Sequence, residues 1–142
     1  MENKKNIPGV HIKGIELLNS SINLPNLPAI ALSNFIFSVN MESKIDATAK
    51  LIFVVVTVEI GAEEYDPILG SLAISCIYSI SKFDDVIKLN PENKLEIPQP
   101  LVEFLNTISV ATARGVMYST FKGTFLHNAY LPMVDRHQFE DR

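Results

Sequence analysis

The run Leu51-Ile-Phe-Val-Val-Val56, continued by Thr57 and Val58 and closed by Glu59, is apolar at consecutive positions. Successive side chains of a strand point to opposite faces, so a strand built from this run is apolar on both and needs cover on both. Its β-branched residues favour a pleated surface. As a helix it would fall far short of the roughly 20 residues that cross a bilayer. The rest of the chain has to be arranged around an inner strand, which the sequence places at residues 48–60.

The neighbouring segments supply the sheet. Phe35, Phe37, Val39 and Met41 alternate with Ile36, Ser38, Asn40 and Glu42, the period of a strand with one buried face. Between residues 70 and 83, Leu72, Ile74, Cys76, Tyr78 and Ile80 oppose Ser71, Ala73, Ser75, Ser79 and Ser81. That second side is small and uncharged, suited to light solvation or to a flat partner. Residues 10–18 read as a further strand, with a bulge near Gly14 that moves its inward side from Val10 and Ile12 to Ile15 and Leu17.

The segment Asn19-Ser-Ser-Ile-Asn-Leu-Pro-Asn-Leu-Pro28 reads as a loop, since Pro25 and Pro28 lack backbone donors, and no sheet ladder is expected through it. Residues 61–67 supply a turn. Residues 83–99, which hold Asp84-Asp85, Asn90-Pro91, Asn93 and Pro98, read as a mobile crossover loop. Pro100 then suits the first turn of a helix, and Leu101, Leu105, Ile108, Thr112 and Val116 recur at helical spacing up to about residue 121. Gly123 ends it, and Pro132 prevents further helix in the apolar segment that follows. At about 1.5 Å per residue such a helix reaches roughly 30 Å, longer than the cover one small sheet needs. A second sheet or subunit is its expected partner.

A chain of 142 residues is one ordinary domain, expected to span 1–142 with residues 1–9 and 136–142 as flexible tails. Hydrophobic residues make up 47% of it and charged residues 20%, the apolar end of soluble composition, so surface is expected to be hidden against a partner. Its formal net charge is −4 and its basic residues are scattered, which removes nucleic acid as a partner. Cys76 is the single cysteine and sits in an alternating apolar stretch, where a thiol acts as a small hydrophobe. The two lysines near Met1 are followed by Ile7-Pro8-Gly9 instead of an apolar signal segment. A cytoplasmic protein with no membrane partner is expected.

Glycine-rich phosphate loops, Cys-x-x-Cys pairs and His-Glu-x-x-His are absent from the sequence. His127, Asp135 and His137 are metal-ligating types but their spacing specifies no geometry, so they read as surface and tail side chains. Asp84-Asp85 and Glu63-Glu64-x-Asp66 lie in turns rather than in a pocket that would split their pKa values. Ser79, Ser81 and Ser109 lack a nucleophile-elbow context. No catalytic residue, no cofactor and no metal are expected, and the chain reads as non-enzymatic.

Three segments resemble the SecB protein-export chaperone family. Ser21-Ile-Asn-Leu-Pro-Asn-Leu-Pro28 is similar to that family's Ser-Phe-Glu-x-Pro-Asn-x-Pro stretch, Ile77-Tyr-Ser-Ile80 to its Ile-Phe-Ser-Ile, and Gly123-Thr-Phe125 through Leu131-Pro132 and Asp135 to its closing Gly-Thr-Phe and Ala-Pro segment. The order and spacing agree from about Ile12 to Asp135. The resemblance implies an α+β fold, a SecB-like four-stranded antiparallel sheet with one long C-terminal helix, assembled as a homotetramer, or as a dimer in second place, with the helices between sheets. It also implies an ATP-independent holdase for unfolded or non-native polypeptide, which acts by linkage: a protein that binds the unfolded state draws its client toward that state.

Apolar residues of the loops and the helix start are the expected client-binding groove, namely Leu27, Ile30, Phe83, Val86, Ile87, Leu89, Leu95, Ile97 and Phe104. The alternative is that they pin the loop to the core. Two departures from the family weaken coupling to the translocase motor. Its acidic docking positions fall on Asn19, Asn23 and about Ser71, and only a short segment follows Asp135 where family members have a further helix. Weak or absent motor binding is therefore expected, with Glu59, Glu63, Glu64 and Asp66 as a substitute patch. A dedicated chaperone of one partner such as an antitoxin, or a structural oligomeric adaptor without clients, is the alternative function.

Overall fold

Four strands, β1 (Val10–Ile22), β2 (Phe35–Asp46), β3 (Leu51–Ala62) and β4 (Tyr65–Ile80), form one antiparallel sheet in the order β1-β4-β3-β2. The structure is a computed structural model and describes residues 9–24, 35–63 and 65–132. The two apolar runs of the sequence take the two central places, and β1 and β2 become the edges. Between β2 and β3 the chain turns through residues 47–50, where Asp46 Oδ1 accepts a hydrogen bond from the Ala49 N–H at 3.0 Å and Lys50 takes φ 60°. That left-handed residue delays the start of β3 to Leu51, three residues after the point the sequence suggests.

The register of β1 on β4 slips between Ile12 and Gly14, at the expected bulge, and again between Leu17 and Asn19. Ile12, Ile15 and Leu17 pair with Tyr78, Cys76 and Ile74 and so share their face. The ladder does not stop at Leu18 as expected. It continues through Asn19, Ser20 and Ser21 to Ile22, opposite Gly70, and the Ser21 and Ser71 hydroxyls meet at 2.7 Å. Main-chain pairing needs no apolar side chains, which is why a polar sequence extends this strand. Pro25 and Pro28 lie outside the described residues.

The expected crossover loop has regular structure instead. Lys82 at φ 57° leads into a single-turn helix, α1 (Phe83–Val86), and a small hairpin follows, β5 (Lys88–Leu89) with β6 (Leu95–Glu96). Asn90 folds that hairpin's turn by accepting from the Glu92 and Lys94 N–H groups at 2.9 and 3.0 Å. The long helix α2 (Gln99–Phe121) carries Pro100 in its first turn. Gly123 at φ 84° ends it, with the Thr124 N–H on the Phe121 carbonyl at 3.0 Å.

α2 packs on one face of β3 and β4. Ile52, Val54, Val56, Val58 and Ile60 of β3 are closed from solvent there, as are Leu72, Ile74, Cys76 and Tyr78 of β4. The buried stripe of α2 includes Leu101 and Leu105 as expected, but continues through Ser109, Ala113, Met117 and Phe121. Ile108, Thr112 and Val116 are only half-buried. The stripe is rotated because small side chains let the helix approach the sheet, and Ser109 bonds the Tyr78 hydroxyl at 2.7 Å in the centre of the contact. After the helix, Leu126 seats on Gly70, where a Cβ would stand 2.5 Å from Leu126 Cδ1 and 3.1 Å from the Ser21 carbonyl. Leu126, Ala129 and Leu131 thereby close the core.

On the other face of β3, Leu51, Phe53, Val55 and Thr57 are half-buried. The expectation of cover on both sides is met within one subunit on the helix side only.

Candidate functional site

Leu27 and Ile30 of the expected groove lie outside the described residues. Phe83 and Ile87 are 5% and 4% exposed and belong to the core cluster, with Val86 and Ile97 packed partly against it. These four hold the crossover down on the body of the protein. Leu89 and Leu95 are cross-strand partners on the β5–β6 hairpin and are exposed, Leu89 to 61%, while Phe104 in the first turns of α2 is 37% exposed. The seven described residues are thus divided between packing and surface.

The larger apolar surface lies where the sequence suggested burial. Ile12, Ile15, Leu17 and Leu18 of β1 are between 47% and 52% exposed, and Leu24 just beyond the strand is 82% exposed. Ile12, Ile15 and Leu17 face the helix side of the sheet, but α2 lies over β3 and β4, and among the described residues the β1 edge is left about half exposed. The chain beyond β1 is fastened to the start of β4, with the Asn23 N–H on the Leu69 carbonyl at 2.9 Å and Asn23 Nδ2 on the Ile68 carbonyl at 3.0 Å. An apolar ladder beside a free strand edge can accept an extended peptide by main-chain pairing with side-chain pockets. The signal that points to it is positional, since an edge strand has half the neighbours of an inner one.

A second open surface runs between α2 and residues 126–131. Tyr118 and Tyr130 lie with ring centroids 6.4 Å apart and planes at 23°, and Tyr118 also meets the His127 ring at 6.1 Å. Sequence reading missed both tyrosines, because Tyr118 sits between the apolar positions of the helix pattern and Tyr130 in an irregular segment.

Asn19 and Ser71 share the sheet face turned away from α2, and Asn23 follows at the same edge, so the three neutral positions gather in one place. The Lys50–Asp84 ion pair at 2.8 Å is well exposed and ties the β2–β3 turn to α1. Burial pushes the Tyr78 phenol well above its ordinary pKa, an effect its hydrogen bond to Ser109 opposes, so it stays neutral. It is a packing group with no route to solvent. Among the described residues no cluster of three or more His, Cys, Asp or Glu side chains could hold a metal ion. Asp135 and His137 lie outside them. No helix among the described residues is long and apolar enough to cross a membrane.

No protein-family model matches the chain, and no curated protein is similar to it in sequence. Several solved structures match the chain, among them these two. One is the SecB-like chaperone Rv1957 of Mycobacterium tuberculosis in complex with a ChAD peptide from the Rv1956 HigA1 antitoxin, 13% identical, covering 89% of this chain and 88% of that one with a TM-score of 0.57. The other is a protein of unknown function from Streptococcus agalactiae, 16% identical, covering 90% and 98% with a TM-score of 0.46. The fold is the SecB-like α+β arrangement, a four-stranded antiparallel sheet with a long C-terminal helix.

Proposed function

We propose that this chain is an ATP-independent chaperone that binds unfolded or non-native polypeptide. The apolar ladder of β1 carries the reading, with Ile12, Ile15, Leu17 and Leu18 about half exposed beside a strand edge that no other described strand pairs with. Leu24, Leu89, Leu95 and Phe104 extend the exposed apolar surface, and Leu27 and Ile30 belong to the proposed client contacts. Half-exposed apolar side chains gathered along one strand are a feature of interaction surfaces. The SecB-like fold supports the reading, since a similarly folded chaperone has been solved with a peptide bound. The protein is cytoplasmic and non-enzymatic in this reading, and it assembles as a tetramer in which part of the same surface is shared between copies.

A dedicated role, protecting one partner such as an antitoxin, is the second reading. Two observations favour it: the neighbour's peptide comes from an antitoxin, and Asn19, Asn23 and Ser71 offer no charge to a basic docking partner. Export through the translocase motor is correspondingly weak or absent. Dilution of chemically denatured proteins into buffer, followed by light scattering, separates the cases. Suppression of aggregation without ATP for unrelated clients supports a general holdase, and suppression confined to one genetically linked partner supports the dedicated role. No suppression of any client leaves a structural adaptor.

A further inference from the structure

The groove between α2 and residues 126–131 has a volume of about 510 Å³ and is lined by Ala111, Arg114, Gly115, Tyr118, Ala129 and Tyr130, with Met117 at its floor. That size takes one or two large side chains of a peptide. It is open because Ala111, Gly115 and Ala129 are small, and its walls are aromatic. Arg114 is the one charged residue in the lining. Its Nε and one Nη donate to the Leu131 and Pro132 carbonyls at 2.9 and 3.1 Å. These bonds fix the guanidinium in place, yet carbonyl oxygens carry no net charge, and they use two of its five N–H donors. Among the described residues no carboxylate pairs with Arg114.

The surrounding sequence strengthens this local asymmetry. The chain holds 16 acidic residues against 12 Lys and Arg, but none of the acids lies between residues 104 and 132, where Arg114, Lys122 and His127 fall. Among the described residues of this net-negative protein, Arg114 is thus a fixed cation without a carboxylate partner beside an apolar aromatic groove.

We propose that this groove binds a polypeptide segment presenting a large apolar side chain with an Asp or Glu one or two residues away, the carboxylate taken by Arg114. The inference deepens the chaperone reading and rests on it, since it states which segments the protein prefers. The geometry suits a planar, bidentate carboxylate contact more than a simple attraction between distant charges.

Fluorescence anisotropy tests it on the full-length protein with labelled peptides that share one Phe-Leu anchor and differ only in flanking acids, amides or bases. The acid-flanked peptide should bind roughly fivefold more tightly than the amide-flanked one at low salt, and the margin should shrink as salt screens the pair. Arg114→Gln should abolish the margin while keeping amide-flanked binding, and Arg114→Lys should retain part of it, with thermal unfolding as the check on the Leu131–Pro132 anchor. Gly115→Leu is the independent variant. A Cβ at Gly115 meets open space, so the substitution suits the helix yet fills the groove, and it should weaken acid-flanked binding at unchanged oligomeric mass.

Equal binding of all flanks, or preference for basic ones, would overturn the inference and leave the chaperone reading in place. Binding of none of the peptides would overturn both. Loss of binding in Gly115→Leu together with a smaller mass by light scattering would assign the groove to a second copy of the chain and overturn the proposal.

Discussion

β4 turns Leu72, Ile74, Cys76 and Tyr78 toward α2, and β1 turns Ile12, Ile15 and Leu17 to the same side of the same sheet, paired with Tyr78, Cys76 and Ile74. The β4 residues are closed from water, whereas the β1 residues are about half open. Their chemistry and their pleat are alike, and only the neighbours differ. One helix covers two strands, β3 and β4, and the strand beside them is left as an apolar edge. Alternation therefore tells which way a side chain points, while strand order tells whether anything meets it there.

The largest loss is expected at the crossover. Phe83 is buried in the core, so Phe83→Ser should lower stability by about 3–5 kcal/mol, the range for losing a large buried aromatic. Urea unfolding measures it, and a near-zero change would return Phe83 to the surface groups with Leu89. A sharper contrast pairs two equal-sized deletions on one ladder. Ile74→Ala should cost about 2–5 kcal/mol, whereas Leu17→Ala, half-exposed, should cost less than about 1.5 kcal/mol in dilute monomer. A Leu17→Ala cost that grows with protein concentration would put β1 in a subunit interface.

Tyr78→Phe should have a smaller effect than the two core truncations. It leaves the buried Ser109 hydroxyl without its partner and should cost about 1–3 kcal/mol. It also has a pH signature. Folded Tyr78 keeps its proton above its ordinary value of 10.0, so the unfolded chain releases one proton more above that pH. Wild-type stability is then flat in this respect below about pH 10 and falls as pH rises beyond it. Tyr78→Phe should lack that part of the alkaline loss in pH-dependent urea melts, and an unchanged profile would show that Tyr78 is solvated.

Much of the fold was legible in the sequence because it rests on short-range rules. Phe35 to Met41 and Leu72 to Ile80 declare a period of two, Pro100 and Gly123 bracket the helix, and Gly14 marks the bulge. What could not be read depends on distant partners. The rotated stripe of α2 could not be seen because Ser109 and Ala113 look like surface residues until Tyr78 and the sheet stand opposite them. The extension of β1 through Asn19, Ser20 and Ser21 is set by β4, over a third of the chain away. In the expected groove, Phe83 and Leu89 are equally apolar and six residues apart, yet one is packed and the other is exposed. Tyr118, Tyr130 and Arg114 became a site only when the segment after Gly123 folded back along α2.

In the proposed function, the apolar surface left open by this fold recognises unfolded chains. Isothermal titration with one client in two forms, native and permanently unfolded by reduction and alkylation of its disulfides, tests it most directly. Micromolar or tighter binding of the unfolded form, with a negative heat-capacity change and no binding of the native form, is the predicted result. Failure to bind the unfolded client, or equal binding of both forms, would contradict the account.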